Sequence, residues 1–428
     1  MWQKVVKNTF WLTTGEIVGR LLRVILVLYA ARVLGSADWG VFSYALSLSA
    51  LFTVFADIGI GAVLTRELVR DGANGEQYLS SSLFIKTIFL ALTALIVVFI
   101  TPFFSNLELS ETLLIFIASL IVADNVRILS GSINRAAEKM HLEAITNIIT
   151  QVAIVSLGVW VLRTKPSAES LAVTYVVGSG LGAIFGIWTV RNYLKKFFTR
   201  LDRQTIKKLL TAAWPFALMG LLGSIMLNTD IIMLGWMRTT EEVGYYSSAQ
   251  KIIFTLYILP TLIGAAAFPS WTRLANKDKQ SFADLLEKTI KIVFLIAMPI
   301  TVGGLIVGSE VMDLFFGPEY QSAALTFKVL LLSLVINYPA AILGNALFAY
   351  DQQRYFILYG GIGALSNIIL NFLLIPQLGI VGAAIATVVT QIISTYLSWS
   401  KMMEVNRFSI LGKLNKIIAA SLIMGALV

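Results

Sequence analysis

Glu16, Arg20 and Arg23 interrupt a run that is otherwise apolar, "TTGEIVGRLLRVILVLYAARVLG" (Thr13–Gly35). On a helix turning 100° per residue they fall within an arc of about 60°. One stripe therefore carries one acid and two bases. Each ionised group at the centre of a bilayer costs ~2.5–3.5 kcal/mol on insertion scales. A spanning helix keeps three of them only where something answers their charge. Glu16 and Arg20, four residues apart, can pair; Arg23 then remains. A guanidinium bonds two phosphate oxygens at once and stays charged at any relevant pH. A membrane carboxylate can bind a proton or a sodium ion.

The same residue types recur at mid-depth elsewhere. Asp124 and Arg127 lie near the midpoint of the fourth apolar run, and Asp57 sits toward the inner end of the second. Together these residues suggest a hydrated cavity lined by acids and bases. Arg20, Arg23 and Arg127 are its candidate substrate-binding groups. Glu16, Asp57 and Asp124 are candidates for ion coupling or for salt bridges. The alternative is a fixed interhelical salt-bridge network that holds no ligand. In the second half of the chain, Asp230 and Lys251 both sit toward the outer side and are read as a pair. The other polar groups there are amides, among them Asn367, Asn371 and Gln391. Amides can bind sugar hydroxyls, but more commonly they join helices.

Long apolar runs must position these groups. Of the 428 residues, 57% are hydrophobic and 13% charged, against about 25% charged in a soluble domain. The chain therefore reads as an all-α polytopic membrane protein. Spans are expected at 9–34, 41–65, 82–104, 111–134, 144–162, 169–190, 209–237, 244–271, 289–308, 323–349, 356–376 and 381–400. A thirteenth run starts near Ile417. Its twelve residues reach roughly 18 Å, short of a hydrocarbon core ~30 Å thick. It is expected to be a truncated span or a segment folded back at the surface. The first run lacks a small-residue cleavage pattern and reads as a retained helix.

Loop charges set the orientation. With the N-terminus inside, inner segments (Lys86 among them) hold 24 of the 33 basic residues and outer segments hold four, which satisfies the positive-inside rule. The net charge of +9 then faces anionic lipid and implies no nucleic-acid partner. The expected location is the cell (plasma or inner) membrane, with a cytoplasmic N-terminus.

"RVLGSADWGVFSYALSL" (Arg32–Leu48) corresponds to "WMRTTEEVGYYSSAQKI" (Trp236–Ile252) at an offset of 204, matching Gly40 with Gly244, Phe42 with Tyr246 and Ala45 with Ala249. Six helices separate the copies, so the repeat is parallel. The expected domains are a first lobe over 1–191, a linker over 192–208, a second lobe over 209–401, and a loop with the start of a thirteenth helix over 402–428. Within "RNYLKKFFTRLDRQTIKK" (Arg191–Lys208), Tyr193, Leu194, Phe197, Phe198 and Leu201 share one helical face among basic residues. That pattern suggests an amphipathic helix on the inner leaflet. Gly178, Gly182 and Gly186, and likewise Gly15 and Gly19, are spaced four apart and suit close helix packing.

Several chemistries are disfavoured. Cys is absent and His141 is the single histidine, which leaves no material for thiol chemistry, a histidine metal site or a serine–histidine relay. No Walker A sequence is present. No catalytic residue, metal or cofactor is expected.

Four stretches carry a family resemblance: "RVLGSADWGVFSYALSLSALFTVFADIGIG", "LNTDIIMLGWMRTTEEVGYYSSAQKI", "LFFGPEYQSAALTFKVLLLS" and "NFLLIPQLGIVGAAIATVVTQ". They resemble the polysaccharide-transporter (oligosaccharide flippase, Wzx-like) branch of the MOP exporter superfamily, which also holds multidrug extruders and lipid II flippases. The resemblance implies a MATE-like fold of two pseudo-symmetric six-helix lobes, alternating access and a cationic cavity. By position on the first helix, the cationic cavity carries over to Arg20 and Arg23, and less directly to Arg127. The implied partners are a polyprenyl-pyrophosphate-linked oligosaccharide, membrane lipids and H+ or Na+, acting on a monomeric, non-enzymatic protein. Two alternatives stand beside this reading. One is a cation-coupled drug extruder of the same fold, disfavoured by the basic stripe. The other is a membrane glycosyltransferase or polymer ligase, disfavoured by short outer loops and the lack of a D-x-D pair.

Overall fold

A computed structural model of the chain describes residues 2–70, 75–99, 110–194, 201–410, 412 and 414–427, with the side chains of 2–10, 12, 13, 16 and 194 outside the description. The described residues form helices α1 (Trp2–Asp57), α2 (Ile60–Arg70), α3 (Gly75–Phe99), α4 (Glu111–Ala136), α5 (Met140–Thr164), α6 (Ala168–Leu194) and α7 (Arg203–Met237). They continue as α8 (Thr240–Leu256), α9 (Ile258–Leu274), α10 (Lys279–Ile306), α11 (Gly308–Phe316), α12 (Ala324–Ala349), α13 (Arg354–Val405) and α14 (Asn415–Leu427). Among the described residues, ten helical spans are long and apolar enough to cross a membrane.

Two helices each contain two of the expected spans. α1 breaks at Gly35, where φ is 74°, and so joins the runs expected at 9–34 and 41–65. α13 breaks at Gly379, where φ is 57°, between the runs expected at 356–376 and 381–400. Only glycine takes such angles without strain. The run expected at 244–271 is α8 and α9 in tandem. The ten helices therefore accommodate the twelve spans read from the sequence. α14 is apolar and shorter than a span.

The internal repeat has a structural counterpart. Moving Gly35 by 204 positions lands on Thr239, the boundary between α7 and α8. The matched Phe42 and Tyr246, and Ala45 and Ala249, are all fully buried.

The chain divides into two compact units, Met1–Asn228 with Thr239–Glu241, and Thr229–Arg238 with Glu242–Val428. α7 is shared, because its earlier part packs on the turn between α1 and α2. A side chain added at Gly59, whose φ is +75°, would stand 2.7 Å from the Ala213 carbonyl oxygen. Asp202 caps the start of α7, accepting from the Thr205 N–H at 2.8 Å and its hydroxyl at 2.7 Å. Those two bonds, the hydroxyl first, hold its carboxyl below the ordinary range. Of the amphipathic linker, residues 195–200, which include Phe197 and Phe198, lie outside the described residues.

In the first unit, α5 packs against α1 and α6. A Cβ at Gly15 would meet Ala144 at 3.0 Å, and one at Gly19 would meet Gln151 at 3.1 Å. Gly178, Gly182 and Gly186 similarly face Ile154, Thr150 and Ser130. The glycine spacings are packing seams that let these helices approach closely.

Candidate functional site

The seam between α1 and α5 brings Arg23 to a cavity. Gly19 admits Gln151, and one turn later Arg23 Nε donates to Gln151 Oε1 at 3.4 Å. The cavity holds about 310 Å³ and lies wholly in the first unit. α1 contributes Arg23 and Thr53 to its lining; α5 contributes Glu143, Thr146 and Asn147. α4 contributes Asp124, Arg127, Ile128, Gly131 and Arg135, which recur at three- and four-residue steps and so form one helical face. Ser130 completes the lining.

Three guanidinium groups meet two carboxylates here. Arg127 Nη1 donates to Asp124 Oδ1 at 2.9 Å and Nη2 to Asn147 Oδ1 at 3.0 Å. Arg135 Nη1 donates to Glu143 Oε1 at 3.1 Å. Among the described residues, the buried Arg127 Nε donates to nothing and the buried Glu143 Oε2 accepts nothing. The cavity thus has a net positive lining and two unmet hydrogen-bonding atoms of opposite kind. An anion with oxygen acceptors suits Arg23 and Arg127.

The expected site residues separate into groups. Arg23, Asp124 and Arg127 meet at the cavity. Arg20 is exposed on α1 and is not among the lining residues. The side chain of Glu16 lies outside the described residues, so its expected pairing with Arg20 does too. Asp57 is bound to Lys86 at 2.5 Å, and Lys86 is almost fully buried. The sequence placed Lys86 with the inner-segment charges. α3 starts at Gly75, eleven residues earlier, so Lys86 lies within the helix and needs an anion beside it. Arg135 and Glu143 were missed as a cavity pair. A signal was present for Arg135, which lies eight residues after the expected Arg127 on the same face of α4; none marked Glu143.

In the second unit Asp230 is 2% exposed. Its Oδ1 accepts from Asn371 at 2.7 Å and from Asn367 at 3.1 Å. Its Oδ2 accepts from the Tyr246 hydroxyl and the Thr387 hydroxyl, each at 2.5 Å. The expected partner was Lys251, which is half-buried on α8; the four donors described at Asp230 are uncharged. Asn367 and Asn371 stand one turn apart on α13, a spacing visible in the sequence. The sequence marked Tyr246 only as the repeat counterpart of Phe42, and nothing in it singled out Thr387.

A family model described as "Polysaccharide biosynthesis protein" matches residues 5–275, and one described as "MatE" matches residues 215–373. A relative from Haloferax volcanii, "Probable low-salt glycan biosynthesis flippase Agl15", is 25% identical over 92% of this chain and 82% of its own. A "Putative O-antigen transporter" of Shigella flexneri is 24% identical over 89% of this chain and 94% of its own. The solved structure "Lipid II flippase MurJ, inward closed conformation" superposes with a TM-score of 0.78 at 18% identity, covering 97% of this chain and 91% of that one. The fold is that of the MOP exporter superfamily.

Proposed function

The chain belongs to the polysaccharide biosynthesis protein family, as a multi-pass membrane transporter of the MOP superfamily, and on that premise we propose that it flips a polyprenyl-pyrophosphate-linked oligosaccharide. The lipid-linked sugar moves from the inner to the outer leaflet of the cell membrane by alternating access, and the N-terminus is cytoplasmic. Curated relatives carry flippase and O-antigen transporter names. The observation that carries the reading is the cavity where Arg23 and Arg127 line one space with three guanidinium groups against two carboxylates. A pyrophosphate needs that charge and the forked geometry of arginine. Arg20, one turn before Arg23 on α1, extends the stripe toward the N-terminal, inner end of the helix. Transport is coupled to H+ or Na+, and the working unit is the monomer.

The test is flipping of a fluorescent polyprenyl-pyrophosphate sugar in proteoliposomes. Wild type moves the label across; a folded Arg23→Ala/Arg127→Ala variant does not. Equal flipping by both would make the arginines structural. The match to the MatE model over 215–373 favours a second reading, export of organic cations. It takes over if wild type exports such cations and leaves the lipid in place.

A further inference from the structure

We propose that Glu143 reads a hydrogen-bond donor on the sugar next to the phosphate, so that the cavity recognises a glycosyl phosphate as one unit. The inference rests on the flippase reading and deepens it. The cavity leaves two buried polar atoms unmet among the described residues: the Arg127 Nε donor and the Glu143 Oε2 acceptor. An unmet polar atom in a buried site is unfavourable until something bonds it. A ligand that meets both atoms must present an acceptor and a donor together. Inorganic phosphate carries its P–O–H on the same small group that an arginine would hold, and so cannot set a donor a ring's width away. A sugar joined to a phosphate offers acceptor oxygens at one end and hydroxyl or amide N–H donors on the ring.

The carboxylate is held to face this task. Arg135 takes Oε1 at 3.1 Å, which leaves Oε2 as the oxygen for a ligand. Gly131 makes the room: a Cβ there would stand 2.9 Å from Glu143 Oε1 and 3.1 Å from its Cδ. Any larger residue on that turn of α4 would displace the carboxylate. Arg127 is anchored to Asn147 on α5 at 3.0 Å, and Asn147 follows Glu143 by one helical turn, ~6 Å of rise. The acceptor's own residue and the residue that anchors the donor's guanidinium are thus one helical turn apart on α5. That suits the reach from a glycosidic phosphate to a donor on the same ring.

The experiment measures binding by calorimetry to the purified full chain in detergent. The probes are inorganic phosphate, glucose 1-phosphate, galactose 1-phosphate and N-acetylglucosamine 1-phosphate. In wild type at least one sugar phosphate should bind about ten-fold or more tighter than phosphate, the gain expected of one hydrogen bond to a charged acceptor. Glu143→Gln should erase that increment, so that the ratio of sugar-phosphate to phosphate affinity falls to about one. Gly131→Ala, which moves the carboxylate without removing it, should shrink the increment in the same direction. Arg127→Ala should weaken all four probes together. The proposal is overturned if wild type binds phosphate and all three sugar phosphates alike, or if the increment survives Glu143→Gln. Flipping by wild type in proteoliposomes separates the two claims. A lost increment with intact flipping removes Glu143 alone, while an intact increment without flipping removes the flippase reading and keeps the sugar-phosphate site.

Discussion

Arg238, the first residue past α7, donates to the carbonyl oxygen of Ile375 on α13, with its Nε at 3.1 Å. Its Nη2 also reaches the next carbonyl, that of Pro376, at 2.8 Å. The bond from the Pro376 carbonyl to the N–H four residues on would have to run through Gly379, whose dihedrals are not helical. The guanidinium takes the place of the missing donor. A Cβ at Gly379 would also meet Glu242 Oε1 at 2.9 Å. The stretches around "WMRTTEEVG" and "NFLLIPQLGIVG" are therefore one structural feature, although 130 or more residues separate them.

That feature predicts a paired stability loss. Arg238→Ala should lower stability by ~1–3 kcal/mol by uncovering a buried carbonyl. Gly379→Ala should cost a similar ~1–3 kcal/mol through its positive φ. Since the two residues answer the same break, the double variant should lose less than the two singles added together. Thermal unfolding of the detergent-solubilised chain measures all three. Strict additivity would mean that Arg238 does not cap the break.

The architecture was legible in the sequence wherever one physical rule dominated. Apolar run length gave the spans, because lipid tolerates only closed helical backbone. Glycines at four-residue spacing marked the seams of α1, α5 and α6, because only close approach gives Gly182 and Gly186 a use. The breaks at Gly35 and Gly379 fell between expected spans, yet their helical continuity was not legible, since a single glycine can end a helix or only kink it. The partners of the buried charges were the hardest part. Asp57 with Lys86 and Arg135 with Glu143 join different helices, and no periodicity within one helix reports which neighbour faces it. Arg127 with Asp124, three residues apart on α4, was within reach for that reason.

The Arg127–Asp124 pair separates a structural role from a transport role. Arg127→Ala should abolish flipping, by ten-fold at least, and should also lower thermal stability, because it leaves Asp124 without its cation. Asp124→Asn/Arg127→Gln removes both charges and should recover most of the lost stability. If the guanidinium binds pyrophosphate, flipping stays lost in the double variant. Recovery of flipping together with stability would assign the pair to structure alone.

Asp202 gives a pH prediction outside the spans. Its bonds from the Thr205 hydroxyl and N–H lower its folded-state pKa. A lowered pKa means that the cap contributes fully above the unfolded value, about 3.9, and that the contribution fades as pH falls through the folded value. Asp202→Ala should therefore unfold at a lower temperature than wild type at pH 7. The gap should narrow as the pH falls below that unfolded value. A gap that stays constant across this range would show that the carboxyl charge plays no part in capping α7.

Asp230 gives the prediction for ion coupling. Asp57 and Asp124 are each paired to a base, so taking up a proton or a sodium ion there means breaking an ion pair. The four donors described at Asp230 are the neutral side chains of Tyr246, Asn367, Asn371 and Thr387. A proton or sodium ion arriving at this carboxylate must displace or turn at least one of them. Those donors come from α8 and from both arms of α13, so the binding event is felt across the break at Gly379. Proteoliposomes with a sodium gradient at fixed pH, or a pH gradient without sodium, read the coupling. Wild-type flipping should accelerate under one of the two gradients, and Asp230→Asn should flip at a rate that ignores both. Thr387→Val, which removes one donor and keeps the carboxylate, should still respond, at a shifted ion concentration. An Asp230→Asn variant that responds as wild type does would reduce Asp230 to a joint between α7 and α13.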